Sequence, residues 1–81
     1  MKMTLEGFDR ITVDPEEMNG QPCIRGMRLT IRRVLEAMAI YLDQAELLAE
    51  YPELEEGDLR QALAFAAENL GDAFYFRELA A

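Results

Sequence analysis

The sequence lacks the residues on which most small catalytic and metal sites depend. Its 81 residues include no histidine, so the commonest general base and the commonest metal ligand are both missing. No activated nucleophile and no phosphate-binding loop can be recognised either. The acidic residues have no spacing typical of metal ligands and are expected to form a solvated surface. The sequence therefore predicts a protein that is not an enzyme and that carries no metal or cofactor.

The scarcity of cysteine and the lack of long apolar runs indicate the cellular compartment. The single cysteine, Cys23, excludes an internal disulfide and fits a reducing environment. We expect Cys23 to be a small buried side chain and not a reactive thiol. The longest apolar runs, residues 37–42 among them, are far shorter than a membrane span, and the N-terminus does not resemble a signal peptide. These features predict a soluble cytoplasmic protein that does not contact a membrane.

Positive charge is scarce and concentrated in one segment. The net charge is −8, yet residues 18–35 hold four arginines and no acid, and residues 43–58 hold seven acids and no base. An acidic total disfavours non-specific nucleic-acid binding, whereas clustered arginines suit bidentate contacts with phosphate. Alternatively, the two segments pair with each other, within the fold or between two copies. The arginines are Arg25, Arg28, Arg32 and Arg33, and the acids are Asp43, Glu46, Glu50, Glu53, Glu55, Glu56 and Asp58.

The distribution of apolar and helix-capping residues predicts one mainly-α domain over residues 1–81. Residues 10–29 are expected to be extended, with a short hairpin formed by residues 11–13 and 23–25. Residues 30–70 are expected to hold three helices, the first capped by Thr30 and the second capped by Asp43 and ended by Pro52. The third is expected over residues 56–70, and residues 71–81 form a tail. A short helix, a turn and a longer helix are typical of a helix-turn-helix-like (homeodomain-like) domain.

Helical spacing predicts which apolar side chains are buried. For the second helix and the following turn these are Leu47, Leu48, Tyr51 and Leu54. For the first helix they are Val34, Leu35, Met38, Ala39 and Leu42, and for the third they are Leu59, Ala62, Leu63, Ala66 and Leu70. Gly57 lies in the first turn of the third helix, where glycine is a poor helix former. We therefore expect this helix to be frayed at its start.

Several motifs resemble those of a small prokaryotic family. Residues 10–15 (RITVDP) and 19–29 (NGQPCIRGMRL) fit a pattern of the form I-x-x-D-P-x-x-x-x-G-x-P-x-I-x-G-x-R-(I/L). Residues 51–54 (YPEL) and 58–66 (DLRQALAFA) fit the motifs Y-P-x-L and D-(I/L)-x-x-A-L-x-(F/Y)-A. On these motifs, which cover roughly residues 10–70, the chain is identified as a member of the domain-of-unknown-function family 433. It departs from the pattern at Glu55, where a small polar cap is usual.

The resemblance implies a helix-turn-helix-like fold and a role as the antitoxin of a toxin–antitoxin pair. The toxin expected for such a pair resembles a PIN-domain ribonuclease. We therefore expect an antitoxin that binds and neutralises this ribonuclease and autoregulates its own transcription, working as a homodimer. The alternative is a stand-alone helix-turn-helix regulator of transcription that binds DNA.

The candidate nucleic-acid contacts are Arg25, Arg28, Arg32, Arg33, Arg60 and Gln61. For Arg25 and Arg28 the stronger alternative is structural, because they could tie the extended segment to acids of the helices. A DNA-reading helix presents its N-terminal part to the bases, but here that part is acidic and offers only Arg60 and Gln61. If DNA is bound, we expect residues 25–33 to contact it.

The tail contains three consecutive aromatic residues followed by an arginine: Phe74, Tyr75, Phe76 and Arg77. Either these side chains fold back on the core or they bind a partner. In the second case, the aromatic rings would anchor the tail on the toxin. Arg77 could then neutralise the carboxylates with which a PIN-like nuclease holds its metal.

Overall fold

A small antiparallel sheet forms the N-terminal part of the structure, a computed structural model that describes residues 1–70. Its strands are β1 (Met3–Leu5), β2 (Phe8–Val13) and β3 (Cys23–Ile24), with β2 in the centre. Ile11 of β2 is the cross-strand partner of Ile24 of β3, and both side chains are fully buried. The sheet therefore presents its two isoleucines to the helices that follow.

A tight turn after β3 directs the chain toward the first helix. The Met27 N–H donates to the Ile24 carbonyl at 2.7 Å across this turn. Its central residues, Arg25 and Gly26, have φ angles of +42° and +74°, as the two central residues of type I′ turns do. A positive φ is unfavourable for arginine, so interactions of the Arg25 side chain must hold this residue in place.

Three helices make up the rest of the described chain: α1 (Ile31–Ile40), α2 (Gln44–Glu50) and α3 (Glu56–Leu70). Thr30 caps α1, because its Oγ1 accepts a hydrogen bond from the Arg33 N–H at 3.1 Å. Asp43 caps α2 by accepting from the Ala45 N–H at 2.8 Å. Both predicted caps are thus confirmed, and α3 spans the predicted residues. Within residues 1–70, no helix is long and apolar enough to cross a membrane.

The core lies between the sheet and one side of each helix. Leu47 of α2 and Leu54 of the following turn are buried, as predicted. Leu35, Met38, Leu48 and Tyr51 pack against the core while partly buried. At the far end of α3, the rings of Phe8 and Phe65 meet edge-on with centroids 5.5 Å apart. The buried apolar residues are Ile11, Cys23, Ile24, Ile31, Val34, Ala37, Leu47, Leu54, Leu59 and Ala62.

Two details of the predicted fold need correction. A mainly-α chain with an N-terminal β segment is confirmed, but the expected hairpin is a three-stranded sheet that extends back to Met3. Strand β1 escapes prediction because it has only three residues, exposed or half-buried, which is too short a run to indicate a strand. The start of α3, where fraying was expected, is also helical at Glu56 and Gly57.

Four apolar side chains predicted to be buried are exposed. Helix α1 ends at Ile40, so Leu42 lies beyond the helix and is 90% exposed, while Ile31 and Ala37 fill the core in place of Ala39 and Leu42. On α3, Leu59 and Ala62 face the core, and Leu63 and Leu70 are 52% and 74% exposed. Around the helix, Leu63 and Leu70 lie within about 40° of Leu59, so helical spacing assigns all three to the same side and cannot show how far along α3 the core extends.

Candidate functional site

A carboxylate between two arginines joins α3 to the sheet. The Asp58 side chain is fully buried, with 0% exposure. Arg25 donates to it twice, from Nε to Oδ1 at 3.0 Å and from Nη2 to Oδ2 at 2.8 Å. Arg10 donates from Nη1 to Oδ1 at 3.0 Å. We call Arg10, Arg25 and Asp58 the Asp58 cluster; it links three segments of the chain by a charge network.

The Asp58 cluster also organises the start of α3. Asp58 Oδ2 accepts from the Glu55 N–H at 2.9 Å, which is the return half of a capping box. Glu55 does not act as a cap through its own side chain; its Oε1 instead accepts from Arg10 Nη1 at 2.8 Å. The missing small polar cap is therefore compensated by a residue one turn into the helix.

Gly57 makes room for the guanidinium of Arg10. A Cβ atom on Gly57 would lie 2.7 Å from Arg10 Cζ and 2.8 Å from its Nε, closer than nonbonded atoms tolerate. Because the Arg10 guanidinium is held by both Glu55 and Asp58, it cannot swing away without losing these bonds. Glycine in the first turn of α3 is thus explained by a close approach.

The substitution Gly57→Ala is expected to lower stability, although alanine is the better helix former. The added methyl group pushes Arg10 from its position over the helix and weakens its bonds to Asp58. In the Arg10→Ala background, the same change should raise the free energy of unfolding by up to about 1 kcal/mol, because only the helix preference remains. Urea unfolding of the wild type, the two single variants and the double variant measures whether the effect of Gly57→Ala on stability changes sign when Arg10 is replaced. An equal effect of Gly57→Ala in both backgrounds would contradict the steric role of Gly57.

Opposing influences act on the pKa of Asp58. Burial raises the pKa, but hydrogen bonds from Arg25, the Glu55 N–H and Arg10 outweigh burial and bring the pKa below its ordinary value. The carboxyl group is therefore ionised at neutral pH. With Glu55, the cluster holds two positive and two negative groups within the fold, so it is a structural connection with no charge left for a ligand.

Gln61 adds a second connection between α3 and β2. Its Oε1 accepts from the Arg10 backbone N–H at 2.9 Å, and its Nε2 donates to the Asp9 carboxylate. The neighbouring Arg60 is exposed and pairs with Glu56 at 3.1 Å. Of the two predicted base contacts on α3, Gln61 is thus held by the sheet and Arg60 points to solvent beside an acid.

The remaining predicted arginines lie together at the start of α1. Arg28, Arg32 and Arg33 are exposed and, with Leu29, Thr30 and Tyr51, line one open depression. Arg32 lies 3.7 Å from Glu36, and no ion pair involves Arg28 or Arg33 in the part of the chain that the structure describes. We call Arg28, Arg32 and Arg33 the basic surface. Arg25 does not belong to it, because its guanidinium faces Asp58.

Helix α3 carries a second exposed surface, which is apolar. Leu63, Ala67 and Leu70 follow one another at intervals of four and three residues and are exposed. We call these three residues the α3 stripe. It ends where the described residues end, and the predicted partner contacts Phe74, Tyr75, Phe76 and Arg77 lie outside the described residues.

The thiol of Cys23 and the carboxylates of residues 1–70 are the groups to consider for reactive or metal-binding chemistry. Cys23 is buried and free, and burial raises the pKa of its thiol, which keeps it protonated. Its Sγ donates to the Gln21 carbonyl at 3.4 Å. No group of three or more histidine, cysteine, aspartate or glutamate side chains that could hold a metal ion occurs in this part of the chain.

Comparison with known proteins identifies the family. The model of a protein family described as a protein of unknown function (DUF433) matches residues 11–66. The chain belongs to the DUF433 family. No match was found among curated proteins or among solved structures.

The DUF433 match contains most of the Asp58 cluster but not all of it. Arg25, Gly57 and Asp58 lie within residues 11–66, whereas Arg10 lies one residue before the match. The basic surface and Leu63 are inside the match, and Leu70 and the tail are outside. A tie from Arg25 to an acid of the helices was the stronger of the two roles expected for Arg25, and it is confirmed by the bonds to Asp58. The choice of Asp58 among the acids and the part played by Arg10 were not predicted, because the partners lie 33 and 48 positions apart. The one local indication was Gly57, a glycine where a helix former was expected.

Proposed function

We propose that this DUF433 protein is an antitoxin that binds a PIN-like ribonuclease and holds it inactive. The resemblance of its motifs supplies the class of partner, and the α3 stripe is the observation that carries the proposal. Leu63 and Leu70 are 52% and 74% exposed on a protein whose net charge is −8. Apolar side chains in such a row are typical of a surface that a protein partner covers.

The spacing of the α3 stripe suits a helix that lies in a groove of its partner. Leu63, Ala67 and Leu70 occupy positions i, i+4 and i+7, the usual anchors of helix-in-groove recognition. In the sequence, the aromatic residues of the tail follow within a few positions of Leu70. In this proposal, Phe74–Phe76 anchor the tail on the toxin, and Arg77 neutralises the carboxylates of the nuclease site.

Side chains at the start of α3 are bound to the sheet, and this favours a protein partner over DNA for this helix. A helix-turn-helix protein inserts the start of its second motif helix into the major groove. Here Asp58 and Gln61 bind the sheet, and Glu55 and Glu56 would repel phosphates. We therefore assign α3 to the toxin and not to DNA.

The second candidate is a helix-turn-helix-like regulator that binds DNA, alone or as part of autoregulation. The observation in its favour is the basic surface, where Arg28 and Arg33 have no acidic partner among residues 1–70. Arginine suits phosphate, so these residues and not α3 would contact the DNA backbone. Loss of operator binding in Arg32→Ala/Arg33→Ala, with normal binding by Arg60→Ala, would select this candidate. Normal binding by Arg32→Ala/Arg33→Ala, with loss of binding in Arg60→Ala, would exclude the basic surface as the DNA contact.

The antitoxin proposal predicts that Leu63→Asp weakens toxin binding by at least tenfold, because a charge replaces an apolar anchor of the interface. The measurement uses a PIN-like ribonuclease that co-purifies with the wild-type chain from its native host and records inhibition of RNA cleavage at rising concentrations of each variant. Met3→Asp is the matched control, since Met3 is also 52% exposed but lies on β1. It is expected to inhibit like the wild type.

Removal of residues 72–81 and the Arg77→Ala variant separate the contributions of the tail and the stripe. If the tail neutralises the nuclease site, both variants lose inhibition although Leu63 is intact. Full inhibition by both would refute the role of Arg77 and leave the α3 stripe as the contact. Unchanged inhibition by Leu63→Asp as well would exclude the α3 stripe from the interface, and a wild-type chain that neither binds nor inhibits a PIN-like ribonuclease would overturn the proposed function.

A further inference from the structure

A groove runs along the exposed side of α1, beside Tyr51. It consists of three open depressions, each lined in part by Tyr51. The middle one is the depression at the basic surface, which shares Arg28 and Leu29 with the first and Arg33 with the third. The third depression extends along α1 to Ile40. The surface formed by Arg28, Leu29, Arg33, Ile40 and Tyr51 is therefore continuous, and we call it the Tyr51 groove.

The two ends of the Tyr51 groove differ in chemical character. At the start of α1, Arg28 and Arg33 are exposed and have no acidic partner within residues 1–70. Toward the end of α1, Ala37 and Ile40 line the groove. Arg33, Ala37 and Ile40 occupy positions i, i+4 and i+7 and so lie in one row along the helix. A basic end and an apolar end are thus separated by about 10 Å, the rise of seven helical residues.

The apolar end is open to solvent. Ile40 is 73% exposed, although its side chain is of the kind that folding usually buries. Tyr51 is half-buried, and its ring packs edge-on against Tyr41 with centroids 6.4 Å apart. An exposed aliphatic side chain and an aromatic ring beside exposed arginines are typical of surfaces that bind another protein.

An unfavourable backbone conformation adjoins the basic end. Met18 lines the depression at the basic surface and has a φ angle of +51°. This is the left-handed region, which residues other than glycine seldom adopt. Such conformations persist where the surrounding structure holds them, and they are concentrated at binding sites. The position of Met18 therefore supports a binding role for this groove.

We propose that the Tyr51 groove binds an acidic segment of the partner protein, as a second contact besides the α3 stripe. This inference rests on the proposed function, which supplies the partner. Carboxylates of the segment pair with Arg28 and Arg33, since guanidinium groups suit bidentate contacts with carboxylates. An apolar side chain of the segment lies against Ile40 and Tyr51. In an extended segment, a separation of about 10 Å places the acidic and apolar residues about three positions apart.

An acidic protein segment fits the Tyr51 groove better than nucleic acid does. Phosphates would be attracted by Arg28 and Arg33 but repelled by Glu36 and Glu53, which line the same depressions. The net charge of −8 adds to this repulsion. Nucleic acid carries a charge at every nucleotide, whereas a protein segment can place uncharged residues opposite the two glutamates.

Substitutions at the two ends of the groove test this inference. The PIN-like ribonuclease that co-purifies with the wild-type chain is titrated with each variant, and calorimetry measures the Kd. Arg33→Glu is expected to weaken binding at least tenfold, because it turns an attraction for the carboxylates into a repulsion. Ile40→Asp is expected to do the same, because a charge replaces an apolar contact.

Each of these variants has a control with the same change of net charge. Lys2→Glu matches Arg33→Glu, and Leu42→Asp matches Ile40→Asp, since Leu42 is 90% exposed two positions further along the chain. Neither control residue is among the described residues that line the groove. Both controls are expected to bind like the wild type, and far-UV circular dichroism verifies that all four variants are folded.

A photo-crosslinking residue identifies what lies in the groove. Ala39 is exposed and lines the third depression, so p-benzoylphenylalanine is introduced in its place. Mass spectrometry of the cross-linked complex is expected to show a ribonuclease peptide with aspartate or glutamate about three positions from an apolar residue. A cross-linked peptide without an acidic residue would overturn the inference.

The binding measurements separate this inference from the proposed function. If the wild type binds the ribonuclease and both Arg33→Glu and Ile40→Asp bind it as tightly, the groove is not a contact, although the antitoxin proposal stands. If these variants lose affinity for duplex DNA and keep their affinity for the ribonuclease, the groove belongs to nucleic acid and the inference is wrong. A wild-type chain that binds no ribonuclease would overturn both proposals.

Discussion

Replacing Asp58 with asparagine is expected to lower the free energy of unfolding at neutral pH by about 2–4 kcal/mol, because a buried carboxylate is lost while the two arginines left unpaired are only partly buried. Asparagine keeps the size of the side chain but removes the charge that Arg10 and Arg25 share. Small domains have only about 5–15 kcal/mol of stability in total. The variant should therefore be close to unfolding, which urea titration followed by circular dichroism measures.

A matched control separates the Asp58 cluster from an ordinary surface pair. Glu56→Gln lies two residues earlier in α3 and removes the exposed pair with Arg60. Such i,i+4 pairs contribute about 0.3–0.5 kcal/mol, so this variant should unfold almost like the wild type. A loss below about 1 kcal/mol in Asp58→Asn would show that the cluster does not hold α3 to the sheet.

A second variant keeps this test informative if Asp58→Asn does not fold. Replacing the whole cluster, with Arg10→Met, Arg25→Met and Asp58→Leu together, removes both the charges and the cost of burying them. We expect the triple variant to be more stable than Asp58→Asn, since no unpaired charge is left in the fold. A triple variant as unstable as the single one would assign the loss to the backbone contacts of Asp58 and not to its charge.

The helices could be predicted because their ends are determined by neighbouring residues. Thr30 and Asp43 accept hydrogen bonds from backbone N–H groups two or three positions away, so sequence alone identifies them as caps. Pro52 likewise cannot continue α2. Such contacts require no knowledge of the rest of the fold.

A tie between Arg25 and an acid of the helices was expected as one alternative, but Asp58 as that acid and Arg10 as its second partner could not be predicted, for the opposite reason. Asp58 meets Arg10 and Arg25 only after β2, β3 and α3 have assembled, and 48 and 33 positions separate the partners. Asp58 looked like one more acid in an acidic segment. Its burial becomes visible only through Gly57, whose missing side chain admits the Arg10 guanidinium.

The candidate surfaces were predicted in part. The basic surface follows from the concentration of arginines in residues 18–35, although Arg25 turns inward because the turn at Arg25–Gly26 directs it toward Asp58. The apolar surfaces were not predicted, because helical spacing assigns Leu63 and Leu70 to a core. Three short strands and three helices offer too little interior to bury every apolar residue of α3.

Acid is expected to remove the difference in stability between the wild type and Asp58→Asn. Because the pKa of Asp58 is lowered in the folded state, its carboxylate stabilises the fold in full above the pKa of the unfolded chain, at roughly 4. As the pH falls below this value and then through the folded-state pKa, the wild type binds a proton at Asp58 and loses this contribution. Asparagine has no proton to bind, so the two proteins converge.

The comparison of the two proteins isolates Asp58 from the other carboxyl groups. Asp14 also has a lowered pKa, because the backbone N–H of Glu16 donates to it, and it contributes acid sensitivity of the same sign. This contribution is equal in both proteins and cancels in the difference of their unfolding free energies. Urea unfolding at intervals from pH 7 to pH 3 measures that difference. A difference that stays constant over the whole range would mean that the charge of Asp58 is not what stabilises the fold, and that the effect of the substitution arises from its hydrogen-bond geometry alone.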